Sequence, residues 1–142
     1  MGKGATFENA FLKLIFNATP IANIADNAAS SPLTTLYGAL HTADPTASGN
    51  QSTSEATYTG YARVAVARTT GGWTVTGNSV SPAATLSFPA CTGGTNTITN
   101  FSVGTASTGA GEILYTGTVT PNISVASGVT PQLTTASTVT ES

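Results

Sequence analysis

The side chains that could do chemistry are few and widely spaced. His41 is the only histidine, Asp44 follows it by three residues, and Glu55 lies further along the same polar stretch. A histidine with nearby carboxylates could begin a metal site, but first-row metals usually take three or four good ligands. We therefore expect His41 to end a strand and to contact solvent or a loop carbonyl, and we predict no metal site.

Nucleophilic and acid–base chemistry are equally poorly supported. Cys91 is the only cysteine, and no protease-like signature surrounds it, so we predict a small buried hydrophobic residue. The sequence contains no Gly-x-Ser-x-Gly elbow. Glu112 and Glu141 could form a glycosidase pair, but nothing in the sequence fixes their separation. We predict that the chain is not an enzyme and has no catalytic residue, no cofactor and no small-molecule substrate.

Charge is scarce along the whole chain. Of 142 residues, 7% are charged and the net charge is −2, whereas an ordinary soluble domain has roughly 25% charged residues. The four basic residues form no cluster that could bind phosphates, so we predict no nucleic-acid partner. No stretch approaches the roughly 18 apolar residues of a membrane span, and we predict no membrane association, no secretion signal and synthesis in the cytoplasm.

The near-neutral composition has two possible explanations. Disordered chains are usually rich in charge and poor in aromatic and β-branched residues, but here Thr, Val and Ile are abundant. A lone soluble domain is usually well charged, so a neutral surface suits a subunit that stays packed against partners. We favour the second explanation.

The N-terminal segment has a helical pattern. Thr6 could cap the helix, Glu8 would lie in its first turn, and Pro20 predicts an end near Asn17. Residues at i, i+4, i+7 and i+8 place one apolar face on this helix, formed by Phe7, Phe11, Leu14 and Ile15. A second short turn is predicted over residues 21–27.

The rest of the chain has the pattern of short strands separated by turns. Gly71-Gly72 suggests a hairpin, residues 44–54 form the longest loop, and a bulge is expected between Ile98 and Phe101. Strands are predicted over residues 36–42, 61–68, 73–75, 80–88, 97–103, 113–119, 123–125 and 132–140, and Pro82 should interrupt the fourth of them at an edge or bulge. This spacing indicates a mainly β chain, an antiparallel β-sandwich or jelly-roll-like single domain with a short N-terminal helix. We predict a helical arm over residues 1–30 and an antiparallel β domain over residues 31–142.

Several segments together resemble a known family. They are Leu36 to Pro45, Tyr58 to Arg68, Gly72 to Val75 and Phe88 to Cys91. As a set they are similar to small virion proteins of tailed bacteriophages, which are often loosely labelled tail-fibre proteins. The resemblance implies a place in the phage particle, with synthesis in the bacterial host cytoplasm, and it carries over no functional residues.

Two structural roles follow from that resemblance. A single small domain without heptads or repeats cannot make a long fibre by itself. We therefore predict a capsid decoration (cement) protein on the capsid surface, a homotrimer that binds the major capsid protein and stabilises the assembled head. The alternative is a tail-fibre or tail-tip protein involved in binding the host receptor.

Six residues are candidates for contacts between subunits. The helical face supplies Phe7, Phe11, Leu14 and Ile15, which could pack on this chain's own β structure or on a neighbour. Arg63 and Arg68 have odd spacing on the clearest predicted strand and should lie on opposite faces. An ion pair within the chain is expected for them by default, with a bridge between subunits as the alternative.

Overall fold

A computed structural model describes residues 3–21, 25 and 32–142. The elements are α1 (Ala5–Asn17), β1 (Thr35–His41), β2 (Val64–Ala67), β3 (Trp73–Thr76), β4 (Ser79–Pro82), β5 (Leu86–Ser87), β6 (Asn96–Gly104), β7 (Ile113–Val125), β8 (Gln132–Leu133) and β9 (Val139–Thr140). The pairings between β1 and β6, β3 and β4, β4 and β9, β5 and β8, and β6 and β7 are antiparallel. The predicted mainly β fold with a short N-terminal helix is confirmed. The turn predicted over residues 21–27 lies largely outside the described residues.

The chain divides into two compact units. The first contains residues 1–35, 66–85 and 134–142, and the second contains residues 36–65 and 86–133. These units do not test whether residues 1–30 form a helical arm. The boundary between an arm and a β domain at residue 30 therefore stays a prediction.

Helix α1 begins two residues earlier than a cap at Thr6 would place it. Gly4 is the N-cap and has no side-chain cap, while its carbonyl accepts hydrogen bonds from the backbone N–H groups of Phe7 and Glu8. Thr6 lies inside the first turn, so its predicted role as the cap is wrong. The predicted end at Asn17 is confirmed, and Ala18 terminates the helix in the left-handed conformation, with φ of 53°.

The first unit has a core in which α1 packs on the β3–β4 hairpin. Leu12 and Phe16 are fully buried, and the Phe16 and Trp73 rings meet edge to face with centroids 4.9 Å apart. Trp73 is buried in this core, with 3% of its surface exposed. Asn17 adds a hydrogen bond from its side-chain amide to the Trp73 carbonyl, 3.1 Å away. The helix therefore packs on its own chain through one face.

The predicted hairpin at Gly71-Gly72 is wrong. Strand β3 pairs with β4, not with β2, and the two-residue turn between them begins at Gly77, whose φ of 59° suits a tight hairpin. Gly72 has a different role, because a Cβ there would lie 2.1 Å from the Ala67 carbonyl oxygen. Gly72 thus allows a close backbone approach where the chain leaves β2.

The second unit contains β6, β7, β1 from Leu36 onward and the first two residues of β2. The strand order of their sheet is β2-β1-β6-β7. The inner strands carry the core, since Gly38–His41 of β1 and Asn100–Gly104 of β6 are buried throughout. The predicted bulge is confirmed by a shift in the β6–β7 register between Ile98 and Asn100. The two strands predicted over residues 113–119 and 123–125 are one strand, β7.

The least accurate strand predictions concern short pairs. Residues 80–88 divide into β4 and β5, and residues 132–140 divide into β8 and β9. Each half has a different partner, because β4 pairs with β9 and β5 pairs with β8. The interruption predicted at Pro82 agrees with the end of β4 at that residue. For residues 132–140 one continuous strand was expected, and this is wrong because the chain leaves one sheet for another there.

Candidate subunit-contact residues and a buried polar cluster

The predicted apolar face of α1 remains partly exposed. Phe7 is 41% exposed, and its ring lies 6.1 Å from that of Phe11, which is half-buried. Leu14 and Ile15 are also half-buried. Apolar residues occupy more of the helix than one hairpin can cover, and the face that packs in the first unit is the neighbouring one, centred on Leu12 and Phe16. A band of apolar surface with Phe7 at its N-terminal end is therefore available on the helix.

Arg68 closes the C-terminal end of α1. Its guanidinium donates hydrogen bonds to the carbonyls of Leu14, Ile15 and Leu33. The last carbonyls of a helix lack partners within the helix and carry its negative dipole end, so a cation there is favourable. Each guanidinium nitrogen of Arg68 thus has a partner within the first unit.

Arg63 lies in a polar cluster inside the second unit. Its Nε and one terminal nitrogen bind the two oxygens of Glu55 at 2.7 and 2.8 Å. The terminal nitrogens also donate to the carbonyls of Ala106 and Gly109, at 2.9 and 2.7 Å. The Arg63 side chain is only 2% exposed, and its hydrogen bonds with Glu55 raise its pKa. The expected ion pair within the chain is confirmed for Arg63.

Tyr61 extends this cluster to β1. Its hydroxyl donates to the Glu55 carboxylate at 2.9 Å and accepts the backbone N–H of Leu40 at 3.1 Å. Burial raises the pKa of Tyr61 well above its ordinary value, so the hydroxyl stays protonated and can donate. The side chains of Tyr61 and Arg63 are both held by hydrogen bonds to Glu55. The regular strand predicted from Tyr61 begins only at Val64.

His41 forms a second polar link between elements of the same unit. The side chain is fully buried, with Nδ1 2.9 Å from the Thr53 carbonyl and Nε2 2.7 Å from the Ser102 hydroxyl. Because a carbonyl can only accept, Nδ1 carries the proton and the hydroxyl donates to Nε2. Burial lowers the pKa of His41, which favours this neutral form. The predicted contact with a loop carbonyl is confirmed, whereas contact with solvent is excluded.

Ser102 and His41 have the hydroxyl and the imidazole that a nucleophile and its general base would need, but a substrate has no access to them. Both side chains are fully buried, so the hydroxyl could not reach a substrate without opening the sheet. Glu55, the carboxylate with the larger electrostatic effect on His41, is engaged by Arg63. The arrangement ties the 42–54 loop to β1 and β6.

The same loop is held by Gln51, a residue that the sequence analysis did not single out. Gln51 is fully buried, accepts the Ala106 N–H at 3.0 Å and donates to the Tyr37 carbonyl at 3.3 Å. Two glycines make room for it, because a Cβ at Gly104 or Gly111 would lie 2.2 Å from its side chain. In the sequence, these two glycines are the feature that could have indicated the buried amide, because glycine lets the backbone approach it closely.

Cys91 and Asn96 have structural roles. Cys91 is buried, as predicted, and its thiol lies 3.2 Å from the Gly93 carbonyl. Asn96 accepts the backbone N–H groups of Thr57 and Tyr58 through its side-chain oxygen. Within residues 3–21, 25 and 32–142, no group of three or more His, Cys, Asp or Glu side chains is placed to hold a metal ion.

No helix among the described residues is long and apolar enough to cross a membrane. No curated protein matches the chain. A family model described as "Podophage GP4 fiber I protein gp80" matches residues 5–141 of the 142. The match covers nearly the whole chain, including both compact units, and it confirms the resemblance to small tailed-phage virion proteins. The chain therefore belongs to the podophage GP4 fiber I protein gp80 family of fibre-type phage structural proteins.

Proposed function

We propose that this chain is a non-enzymatic structural protein of a tailed-phage virion and that it works as part of a fibre assembly. The family match over residues 5–141 carries the proposal, because the family is described as a fibre protein of a podophage. This supports the tail-fibre role, which was the alternative in the sequence analysis, better than it supports capsid decoration. Capsid decoration, the capsid-surface location and the major capsid protein as a partner stay predictions.

The use of the polar side chains supports a non-enzymatic role. His41, Glu55 and Arg63 are the groups most suited to acid–base chemistry, and each is engaged in hydrogen bonds within the second unit. Those bonds join the 42–54 loop, β1, β6 and the turn after β6. These polar residues therefore stabilise the folded second unit from within, which suits a rigid component of a virus particle.

The exposed band on α1 is the surface that we propose for contact with a neighbouring virion protein. Phe7 and Phe11 provide adjacent rings there, and such aromatic groups are enriched in protein interfaces. Arg63 and Arg68 are less suitable, because each guanidinium nitrogen already donates within the chain. The predicted homotrimer likewise stays a prediction.

A deletion in the phage separates the two structural roles. We expect particles that lack this chain to have altered or missing fibres in electron micrographs and to adsorb poorly to host cells, while their heads stay as heat-stable as those of the wild type. A complementing plasmid provides the control. Normal fibres and adsorption, together with heads that burst at a lower temperature, would instead support capsid decoration.

A further inference from the structure

Strand β7 presents a long, accessible edge. It contains 13 residues and is the last strand of the β2-β1-β6-β7 sheet, with β6 on its inner side. None of the residues 113–124 is buried, whereas the facing stretch of β6, residues 100–104, is buried throughout. Within the described part of the chain, no other strand covers this edge.

The usual protection of an exposed edge is weak in β7. Natural edge strands are commonly short, charged or interrupted by proline, which prevents them from pairing with another chain. No residue from Ile113 to Val125 is charged, and the only proline, Pro121, comes after residues 113–120. The register with β6 shifts at Leu114 and again after Thr118, and residues 115–118 between these shifts pair regularly. Within residues 113–120, Thr116, Thr118 and Thr120 are exposed and share one face.

We propose that β7 pairs with β7 of a second copy of this chain, antiparallel, around a two-fold axis near residues 116–120. An antiparallel two-fold contact places the same surface on both partners, so the edge must be compatible with itself. The uncharged threonine face meets this condition, since threonines opposite one another are favourable and no like charges meet.

The other edge of the sheet fits β7 less well. Strand β2 has four residues and is flanked by Arg63 and Arg68, so a head-to-tail contact between β7 and β2 would pair only a short part of β7. Pairing β7 with β7 uses the longest strand on both sides. It would also join two four-stranded sheets into one of eight strands, which lies within the usual size range.

Opposite charges on the threonine face test this contact. One variant carries Thr116→Lys and Thr118→Lys, and the other carries Thr116→Glu and Thr118→Glu. In sedimentation equilibrium, we expect the wild type to form a dimer and each variant alone to dimerise at least about tenfold more weakly, because like charges then face each other. An equimolar mixture of the two variants should recover the dimer.

A matched control places the same charge elsewhere on the second unit. Ala47 and Ser48 are exposed in the 42–54 loop, so Ala47→Lys with Ser48→Lys should leave dimerisation unchanged. In the wild type, hydrogen exchange at residues 116–120 should slow as protein concentration rises, which is independent of any substitution. This pairing does not depend on the proposed fibre role.

Each remaining outcome contradicts the proposal. A wild type that is monomeric throughout the concentration range has no such contact. A trimer, or a dimer that persists in both charge variants, would place the contact on another surface. Loss of the dimer in both variants without recovery in the mixture would mean that β7 meets a surface other than β7.

Discussion

Replacing Arg63 with alanine should destabilise the second unit severely. The substitution removes four hydrogen bonds, two to Glu55 and one each to the carbonyls of Ala106 and Gly109. The carboxylate would keep only the Tyr61 hydroxyl among these partners. Removing one member of a buried ion pair leaves an uncompensated charge, and the expected loss in free energy of unfolding is about 3–5 kcal/mol.

The measurement is urea denaturation of Arg63→Ala beside Lys13→Met, which removes an exposed charge from a helix with little change in helix propensity. The control should change the free energy of unfolding by less than about 0.5 kcal/mol. Adding Glu55→Leu to Arg63→Ala should recover part of the loss, because the stranded carboxylate is gone. A loss below about 1 kcal/mol for Arg63→Ala would refute the reasoning, since exposed ion pairs are worth that little.

Three further predictions concern other parts of the structure. Burial lowers the pKa of His41 below its ordinary 6.5, so just below that pH the unfolded chain binds a proton that the folded chain does not. The free energy of unfolding should therefore fall as the pH drops below 6.5. Urea denaturation at several pH values measures this dependence, which His41→Gln should lose. Gly117→Ala would place a Cβ 2.5 Å from the Phe101 ring and should cost about 1–3 kcal/mol in thermal unfolding, whereas Gly71→Ala, whose Cβ would lie 3.6 Å from the Thr69 hydroxyl oxygen in ordinary contact, should not. Arg68→Met removes three hydrogen bonds to backbone carbonyls, two of them at the helix end, and should cost about 1–3 kcal/mol by the same denaturation assay.

The mainly β fold could be predicted because local patterns are strong where strands are central. The hydrophobic phase slip in β6 indicated the bulge. Strand partners could not be predicted in the same way. The Gly71-Gly72 pair has the composition of a hairpin turn, but whether the next strand turns back or joins another sheet depends on distant residues.

The polar cluster shows a second limit of the sequence. Arg63 was expected to form an ion pair, yet Glu55 was considered only as a possible partner of His41 in a metal site. The two residues meet because the 42–54 loop folds back on β1, as the bridge between His41 and Glu55 shows. Gln51 was overlooked for the same reason, since a polar residue in a polar loop gives no local sign of burial.

The apolar pattern of α1 indicated a helix but not the face that packs. The spacing favoured Phe7, Phe11, Leu14 and Ile15, whereas Leu12 and Phe16 are the residues buried completely. Both sets have helical periodicity, and the position of the hairpin decides between them. The apolar band that includes Phe7 is left partly exposed, and it is the surface of α1 that a contact with another protein would use.

The central claim, that the chain is part of a fibre assembly, is tested most directly by its copy number in purified virions. Quantitative mass spectrometry against the major capsid protein gives that number. We predict a few copies to a few tens of copies per particle. A count in the hundreds would contradict the fibre role and place the chain on the head lattice.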